Sequence, residues 1–174
     1  MSPLDRPVIG IAGWKNSGKT TLTERLIAEL TRRGLKVASV KHAHHSFQVD
    51  DERTDSARHR RAGARQVAIV SPSRWAIVRE LGEDPEPRLE EILSRLDPCD
   101  LVVVEGYKRA PIPKIEVRRT ASAGKEPLAP SDPHVVAIAA DHAVESALPV
   151  FALDDIPALA TFVQKRLHLP GALA

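Results

Sequence analysis

The chain has 174 residues, of which 43% are apolar and 28% charged, and this composition predicts one globular domain over residues 1–174. A single cysteine, Cys99, excludes a scaffold held by internal disulfides and fits a reducing compartment, so we expect a cytoplasmic protein. The net charge of +2 is too small to predict a nucleic-acid-binding face, and no apolar run reaches the roughly 18 residues of a membrane span.

Short apolar runs alternate with amphipathic segments, which predicts an α/β fold with a mostly parallel sheet. The predicted strands are residues 8–12, 36–40, 101–104, 135–139 and 149–153, and the predicted helices are residues 20–33, 55–64, 86–96 and 155–167. Residues 66–70 and 75–78 predict an added antiparallel hairpin. Residues 114–118 alternate between charged and apolar side chains, which predicts an exposed or edge strand.

A complete phosphate-binding loop separates the first predicted strand from the first helix. Its glycines let the backbone approach a phosphate, and the N–H groups at the start of the helix face the anion. In this pattern Lys19 reaches the β- and γ-phosphates, and the Thr20 hydroxyl binds the accompanying Mg²⁺. The motif predicts a P-loop NTPase that binds a purine nucleoside triphosphate through Gly13, Trp14, Lys15, Asn16, Ser17, Gly18, Lys19, Thr20 and Thr21.

A second acid is expected at the metal ion, at the end of a neighbouring strand. Glu105 ends the strongest apolar run and fits this role, and the alternative is a strand-ending carboxylate in solvent. Asp50, in the loop after the second strand, is the alternative acid on the metal side. Lys19 and Glu105 are therefore the predicted catalytic residues, and no arginine finger or water-positioning glutamine is evident beside the motifs.

Three histidines, His42, His44 and His45, follow the second strand within four residues. Three interpretations are open: a solvated loop, a catalytic metal site, or an anion-binding loop. The last is favoured by Arg58, whose guanidinium can bind a carboxylate or phosphate.

These motifs together resemble a known family. The matching segments are Gly13–Leu22, Lys41–His45, Asp50, Asp55–Arg58, Ala62–Ala64, Glu105–Lys108, Pro113–Val117 and Val136–Asp141. They resemble the molybdopterin-guanine dinucleotide biosynthesis adaptor protein B family, GTP-binding P-loop proteins of molybdenum cofactor maturation. The resemblance covers about residues 7–165. It implies a doubly wound sheet, a homodimer, GTP with Mg²⁺, at most slow GTPase activity, and the molybdenum cofactor guanylyltransferase and the molybdopterin cofactor as partners.

The guanine-reading motif of many GTPases, Asn-Lys-x-Asp, is missing from the sequence. Asp141, after the strand 135–139, is the predicted base-side acid because a carboxylate can accept both N1–H and the amino group of guanine. Asp141 could equally cap the next turn.

Five residues that can carry positive charge come from segments that follow or flank strand ends. Such ends converge on one crevice in an open α/β sheet. These residues predict a site on the rim opposite the phosphate loop for a second phosphorylated ligand, which the resemblance suggests is the pterin phosphate or the partner-bound cofactor. They are Lys41, His42, His44, Arg58 and Lys108.

Two functions remain open from the sequence. One is an accessory GTPase that serves a partner enzyme. The other is a small-molecule kinase or an ATP-dependent ligase of the dethiobiotin synthetase type, since those enzymes also end a strand in Glu-Gly. A structural or nucleic-acid-binding role is disfavoured by the complete phosphate loop.

Overall fold

The computed structural model describes residues 6–43, 54–122 and 126–171, which form two compact units. The sheet unit comprises residues 6–42, 89–122 and 126–171, and the hairpin unit comprises residues 43 and 54–88. The predictions for His44, His45 and Asp50 lie outside the described residues.

The described residues contain eight strands and four α-helices. The strands are β1 (Val8–Gly13), β2 (Val37–Lys41), β3 (Gln66–Val70), β4 (Trp75–Arg79), β5 (Leu101–Glu105), β6 (Lys114–Arg118), β7 (Val135–Ala140) and β8 (Val150–Ala152). The helices are α1 (Lys19–Arg32), α2 (Asp55–Arg61), α3 (Leu89–Leu93) and α4 (Ile156–Arg166). The predicted α/β fold with a mostly parallel sheet and an added hairpin is confirmed.

Six parallel strands form the sheet of the sheet unit, in the order β2-β5-β1-β6-β7-β8. The strand β1 lies inside this sheet, between β5 and β6. The connections therefore lead away from β1 in both directions, and β1 ends at the switch point where ligands bind in doubly wound folds. The phosphate loop begins at that end of β1.

The core has two layers because successive side chains of a strand point to opposite faces of the sheet. On one face, Ile9 and Ile11 of β1 pack with apolar residues of α1 and α4. On the other face, Val8 packs with Leu89 and Leu93 of α3. Helices on both faces complete the doubly wound arrangement and hold the strand ends of the site in place.

The strand β6 corrects the expectation of an exposed or edge strand, since it lies between β1 and β7 and is buried. The charged and apolar side chains of β6 alternate because the two faces of this strand are both buried but have different surroundings. Ile115 and Val117 join the apolar core, whereas the Lys114 ammonium donates to the carbonyl of Lys108 and to Asp132. Hydrogen bonds and an ion pair to the overlying loops thus satisfy charges that the sequence pattern assigned to solvent.

The helix α3 is also shorter than the expected helix over residues 86–96. Pro87 disfavours helical backbone at the residue before it, so the helix begins later. At the other end, the N–H groups of Arg95 and Leu96 bond to carbonyls only three residues earlier, and the helix gives way to tight turns.

The hairpin unit contains the antiparallel strands β3 and β4, with Val70 opposite Trp75. The helix α2 packs on β3 and is capped by Thr54, whose hydroxyl accepts a hydrogen bond from the N–H of Ala57. One face of the hairpin carries large apolar side chains in solvent: Val70 is 76% exposed, Trp75 65% and Ile77 57%. None of the helices in the described ranges combines the length and apolar composition that crossing a membrane requires.

Candidate functional site

The phosphate loop, residues 13–20, connects the end of β1 to the start of α1. Gly13 is required by close packing, because a Cβ there would lie 2.7 Å from the carbonyl oxygen of Val117. The loop then turns through Asn16 and Gly18, whose φ angles are +63° and +91°. No side chain caps α1, so the N–H groups of its first turn face the cradle of the loop. This arrangement favours an anion.

Lys19 folds back over the loop, and its ammonium donates a hydrogen bond of 2.8 Å to the carbonyl of Trp14. Burial lowers the pKa of Lys19, and the nearby charges of Lys108 and Lys41 lower it further, against an opposing effect of Glu105. An anion at the loop would relieve this repulsion between cations.

Trp14 fixes the far side of the loop. Its indole N–H donates to the carbonyl of Glu126 at 2.8 Å, and the ammonium of Lys108 lies 3.8 Å from the centre of its ring. Burial lowers the pKa of Lys108. Lys108, expected at the second-ligand site, therefore lies beside the phosphate loop.

On the β5 side of the loop, the structure brings Thr20 and Glu105 together. The Thr20 hydroxyl donates to Glu105 Oε1 at 2.7 Å, and the Lys41 ammonium lies 3.4 Å from each of these two oxygens. Glu105 is only 8% exposed. Hydroxyl and carboxylate oxygens are suitable ligands for Mg²⁺. The donor set fits the ion, and the Lys41 ammonium lies beside it.

His42 lies directly behind Glu105. Its backbone N–H donates to the backbone carbonyl of Glu105 at 2.9 Å. Its imidazole ring contacts the ring of Tyr107, with the two ring centroids 4.5 Å apart. Gly106 makes this packing possible, because its φ is +95° and a Cβ would lie 2.9 Å from the Cβ of His42. Within the described ranges, no group of three or more His, Cys, Asp or Glu side chains is placed to hold a metal.

Asp141 lies on the opposite side of the loop, at the end of β7. Its Oδ1 accepts hydrogen bonds from the N–H and hydroxyl of Thr120 and lies 2.9 Å from His142 Nδ1. The contact with His142, followed by the backbone bond of Thr120, lowers the pKa of Asp141 to about 2. Asp141 thus stabilises a turn that precedes it in sequence, and Oδ2 accepts no hydrogen bond from the described residues.

A cavity of about 840 Å³ opens beside Asp141. It extends from the start of α1 to β8 and the residues that follow it. Thr21 and Phe151 lie on its walls, so the cavity offers both a polar and an aromatic side. Its size is that of a small-molecule site.

Arg119 is a residue of this region that the sequence motifs did not reveal. It follows β6, and its side chain reaches Gly18, where a Cβ would lie 3.2 Å from Arg119 Cδ. The available signal was the position of Arg119 directly after the predicted strand 114–118, but that strand was expected to be exposed or at an edge.

Arg58 belongs to the hairpin unit, where it lies 3.4 Å from Asp55. Its expected contribution to the second-ligand site stays a prediction.

Comparison with known proteins decides the family. The family described as "Molybdopterin guanine dinucleotide synthesis protein B" matches residues 8–141. The chain belongs to this family. The sequence resemblance is thereby confirmed.

Two curated members of the synthesis protein B family span nearly the whole chain. The molybdopterin-guanine dinucleotide biosynthesis adapter protein of Haemophilus influenzae is 41% identical over 93% of this chain and 90% of its own. The adapter protein of the same name from Escherichia coli is 36% identical over 90% and 91%.

Solved structures of the synthesis protein B family share the fold. A crystal structure titled molybdopterin-guanine biosynthesis protein B has a TM-score of 0.72 and 29% identity, covering 92% of this chain and 99% of that chain. The Bacillus subtilis MobB structure has a TM-score of 0.71 and 26% identity, covering 92% and 98%.

Proposed function

We propose that this protein is a GTP-binding accessory protein that assists the guanylyltransferase of molybdopterin guanine dinucleotide biosynthesis. The pairing of Thr20 with Glu105 beside the uncapped start of α1 carries the proposal, since it joins a metal-binding oxygen pair to a phosphate cradle. The adapter names of the relatives favour a role alongside another enzyme.

The nucleotide would lie along the phosphate loop. Lys19 would exchange the carbonyl of Trp14 for the β- and γ-phosphates, and N–H groups of residues 15–21 would surround them. Thr20 and Glu105 would hold Mg²⁺, which neutralises charge on the phosphates when bound. Lys41, already 3.4 Å from Glu105, would add positive charge on this side.

Guanine is proposed to lie in the cavity beside Asp141. Three donors already engage Asp141 Oδ1, which leaves Oδ2 to accept from N1–H or the amino group of guanine. Adenine carries no N1–H, so a carboxylate here favours guanine. GTP is therefore the proposed nucleotide.

A phosphorylated pterin is the proposed second ligand. Three of the expected residues lie around the phosphate loop in the sheet unit: Lys41, His42 and Lys108. The ammonium groups of Lys41 and Lys108 would attract the phosphate of the pterin. The expectation extends to Arg58, and to His44 outside the described residues.

The proposed catalysis is slow. Lys19 would neutralise the phosphates and Glu105 would position the metal, and both roles support binding more directly than activation of water. We also propose a homodimer, because the exposed apolar face of the hairpin formed by Val70, Trp75 and Ile77 is typical of an interaction surface.

A nucleotide titration tests the proposal. With Mg²⁺ present, calorimetry should show GTP bound at least about tenfold more tightly than ATP, and Asp141→Asn should remove most of this difference because Asn presents one acceptor and one donor. Asp97→Asn, at an exposed aspartate of the same unit, is the control and should leave the preference intact. Equal affinity of the unaltered protein for the two nucleotides would contradict guanine recognition.

The same titration, repeated with molybdopterin, tests the second ligand, whose affinity should fall as salt screens the lysines. GTP turnover without the partner should stay below about 1 s⁻¹, the lower end of kinase rates, and addition of the guanylyltransferase should change it. Rapid phosphate transfer to a small molecule without a partner would instead indicate the kinase alternative.

A further inference from the structure

Arg119 lies where two cavities of the sheet unit adjoin. The cavity of about 840 Å³ beside Asp141 is one of them, and the other, of about 370 Å³, is lined by phosphate-loop and α1 residues together with Arg119. The two share only Gly18, Thr21 and Arg119. A nucleotide with phosphates in the smaller cavity and its base in the larger one must pass this arginine.

The guanidinium of Arg119 is held loosely. Its Nε lies 3.6 Å from Asp141 Oδ2, beyond hydrogen-bonding distance, and the side chain is 46% exposed. Among the described residues no acceptor makes a side-chain hydrogen bond with this guanidinium. Arg119 is therefore a cation beside the start of α1 that retains its hydrogen-bonding capacity.

Asp141 does not need Arg119 for its orientation. Thr120 donates two hydrogen bonds to Oδ1, and His142 contacts the same oxygen. A purely structural arginine would add little to a carboxylate held in this way, so Arg119 is available to contact a ligand.

We propose that Arg119 is a nucleotide-binding residue that exchanges its ion pair with Asp141 for the phosphate nearest the base. A guanidinium binds phosphate oxygens through two parallel N–H groups, a stronger contact than an ion pair at 3.6 Å. The exchange would leave Asp141 Oδ2 open to the donors of the base. One side chain would thus connect recognition of the phosphates to recognition of the base. This inference rests on the proposed nucleotide function.

Binding of GTP, ATP and inorganic tripolyphosphate to a set of variants tests the inference. Arg119→Ala should weaken all three ligands about tenfold or more, since each loses a charge-assisted contact. Arg119→Lys keeps the charge but loses the two parallel N–H groups. Its affinities should lie between those of the unaltered protein and those of Arg119→Ala. Asp141→Asn should affect GTP and spare tripolyphosphate. Arg32→Ala, which removes an exposed charge near the other end of α1, is the matched control and should bind as the unaltered protein does.

The outcomes separate the inference from the function on which it rests. Unchanged affinity of Arg119→Ala for GTP would overturn the inference alone. A loss confined to GTP, with tripolyphosphate unaffected, would also overturn it, because Arg119 would then act only through Asp141. If the unaltered protein bound no nucleotide, the proposed function would fail first. Circular dichroism checks the fold, and Arg119→Lys decides the outcome if the alanine variant loses structure.

Discussion

Two carboxylates, Glu105 and Asp141, end strands of the same parallel sheet on opposite sides of β1, yet their surroundings differ. Glu105 is buried and faces a hydroxyl and an ammonium, Thr20 and Lys41. Asp141 has a side chain 32% exposed, and its Oδ1 is engaged by neighbours from two segments. Equivalent positions in the sheet thus differ in their chemistry: a buried carboxylate paired with an ammonium on one side, and a fixed, ionised acceptor beside an open cavity on the other.

The largest expected effect concerns Lys19, because the proposed nucleotide site needs its charge whichever side of the phosphate loop is considered. Lys19→Ala should abolish measurable triphosphate binding, a loss of at least about 100-fold, because the phosphates lose their closest cation. Calorimetry measures the affinity, and circular dichroism should show a native spectrum. Lys165→Ala, an exposed lysine of α4, is the control for loss of charge alone. Retained GTP affinity in Lys19→Ala would refute the assignment of the phosphate loop.

A smaller effect is expected from the Glu105 side alone. Thr20→Ala should reduce the gain in nucleotide affinity that Mg²⁺ provides by about tenfold, while affinity without Mg²⁺ changes little. Titrations with Mg²⁺ and with excess chelator measure this gain. Glu105→Gln should have a similar effect, and the double variant should lose less than the sum, since the two side chains act as a pair. Equal losses of nucleotide affinity with and without Mg²⁺ would contradict the assignment of Thr20 as a metal ligand.

The smallest effect concerns the acid stability of the Asp141 side. The contacts of His142 and Thr120 lower the pKa of Asp141 from 3.8 to about 2, so the ionised carboxylate favours the folded state. The stability advantage over Asp141→Asn should be present above about pH 4 and disappear as pH falls through about 2. Urea unfolding at a series of pH values measures it, with Asp97→Asn as the reference. A difference that grew on acidification would have the wrong sign.

Much of the fold followed from sequence because periodicity and turn chemistry are local signals. The apolar runs of β1 and β5 and the amphipathic spacing in α1 were sufficient for the α/β assignment. The strand β6 was misassigned because its burial depends on remote partners: Lys114 needs Asp132, and Glu116 accepts from the N–H groups of Leu128 and Ala129. No local pattern distinguishes such a strand from one at an edge.

The candidate site likewise contains residues that local sequence predicts and one residue whose place depends on remote parts of the chain. The phosphate loop could be predicted because its residues are contiguous, and Glu105 because it ends an evident strand. Arg119 could not, since its place beside Gly18 depends on the order of strands in the sheet. The roles of the predicted site residues remain predictions that the variants above test.

Trp14 makes the phosphate loop optically readable. The chain has only two tryptophans, and the other, Trp75, belongs to the hairpin unit and is 65% exposed. Replacing Trp75 by Phe would leave a single indole emitter, bonded to the carbonyl of Glu126 and lying under the ammonium of Lys108. Indole emission responds to the electric field of nearby charges, and that field changes when an anion approaches Lys19 and Lys108. The protein therefore carries its own spectroscopic reporter at the centre of its candidate site.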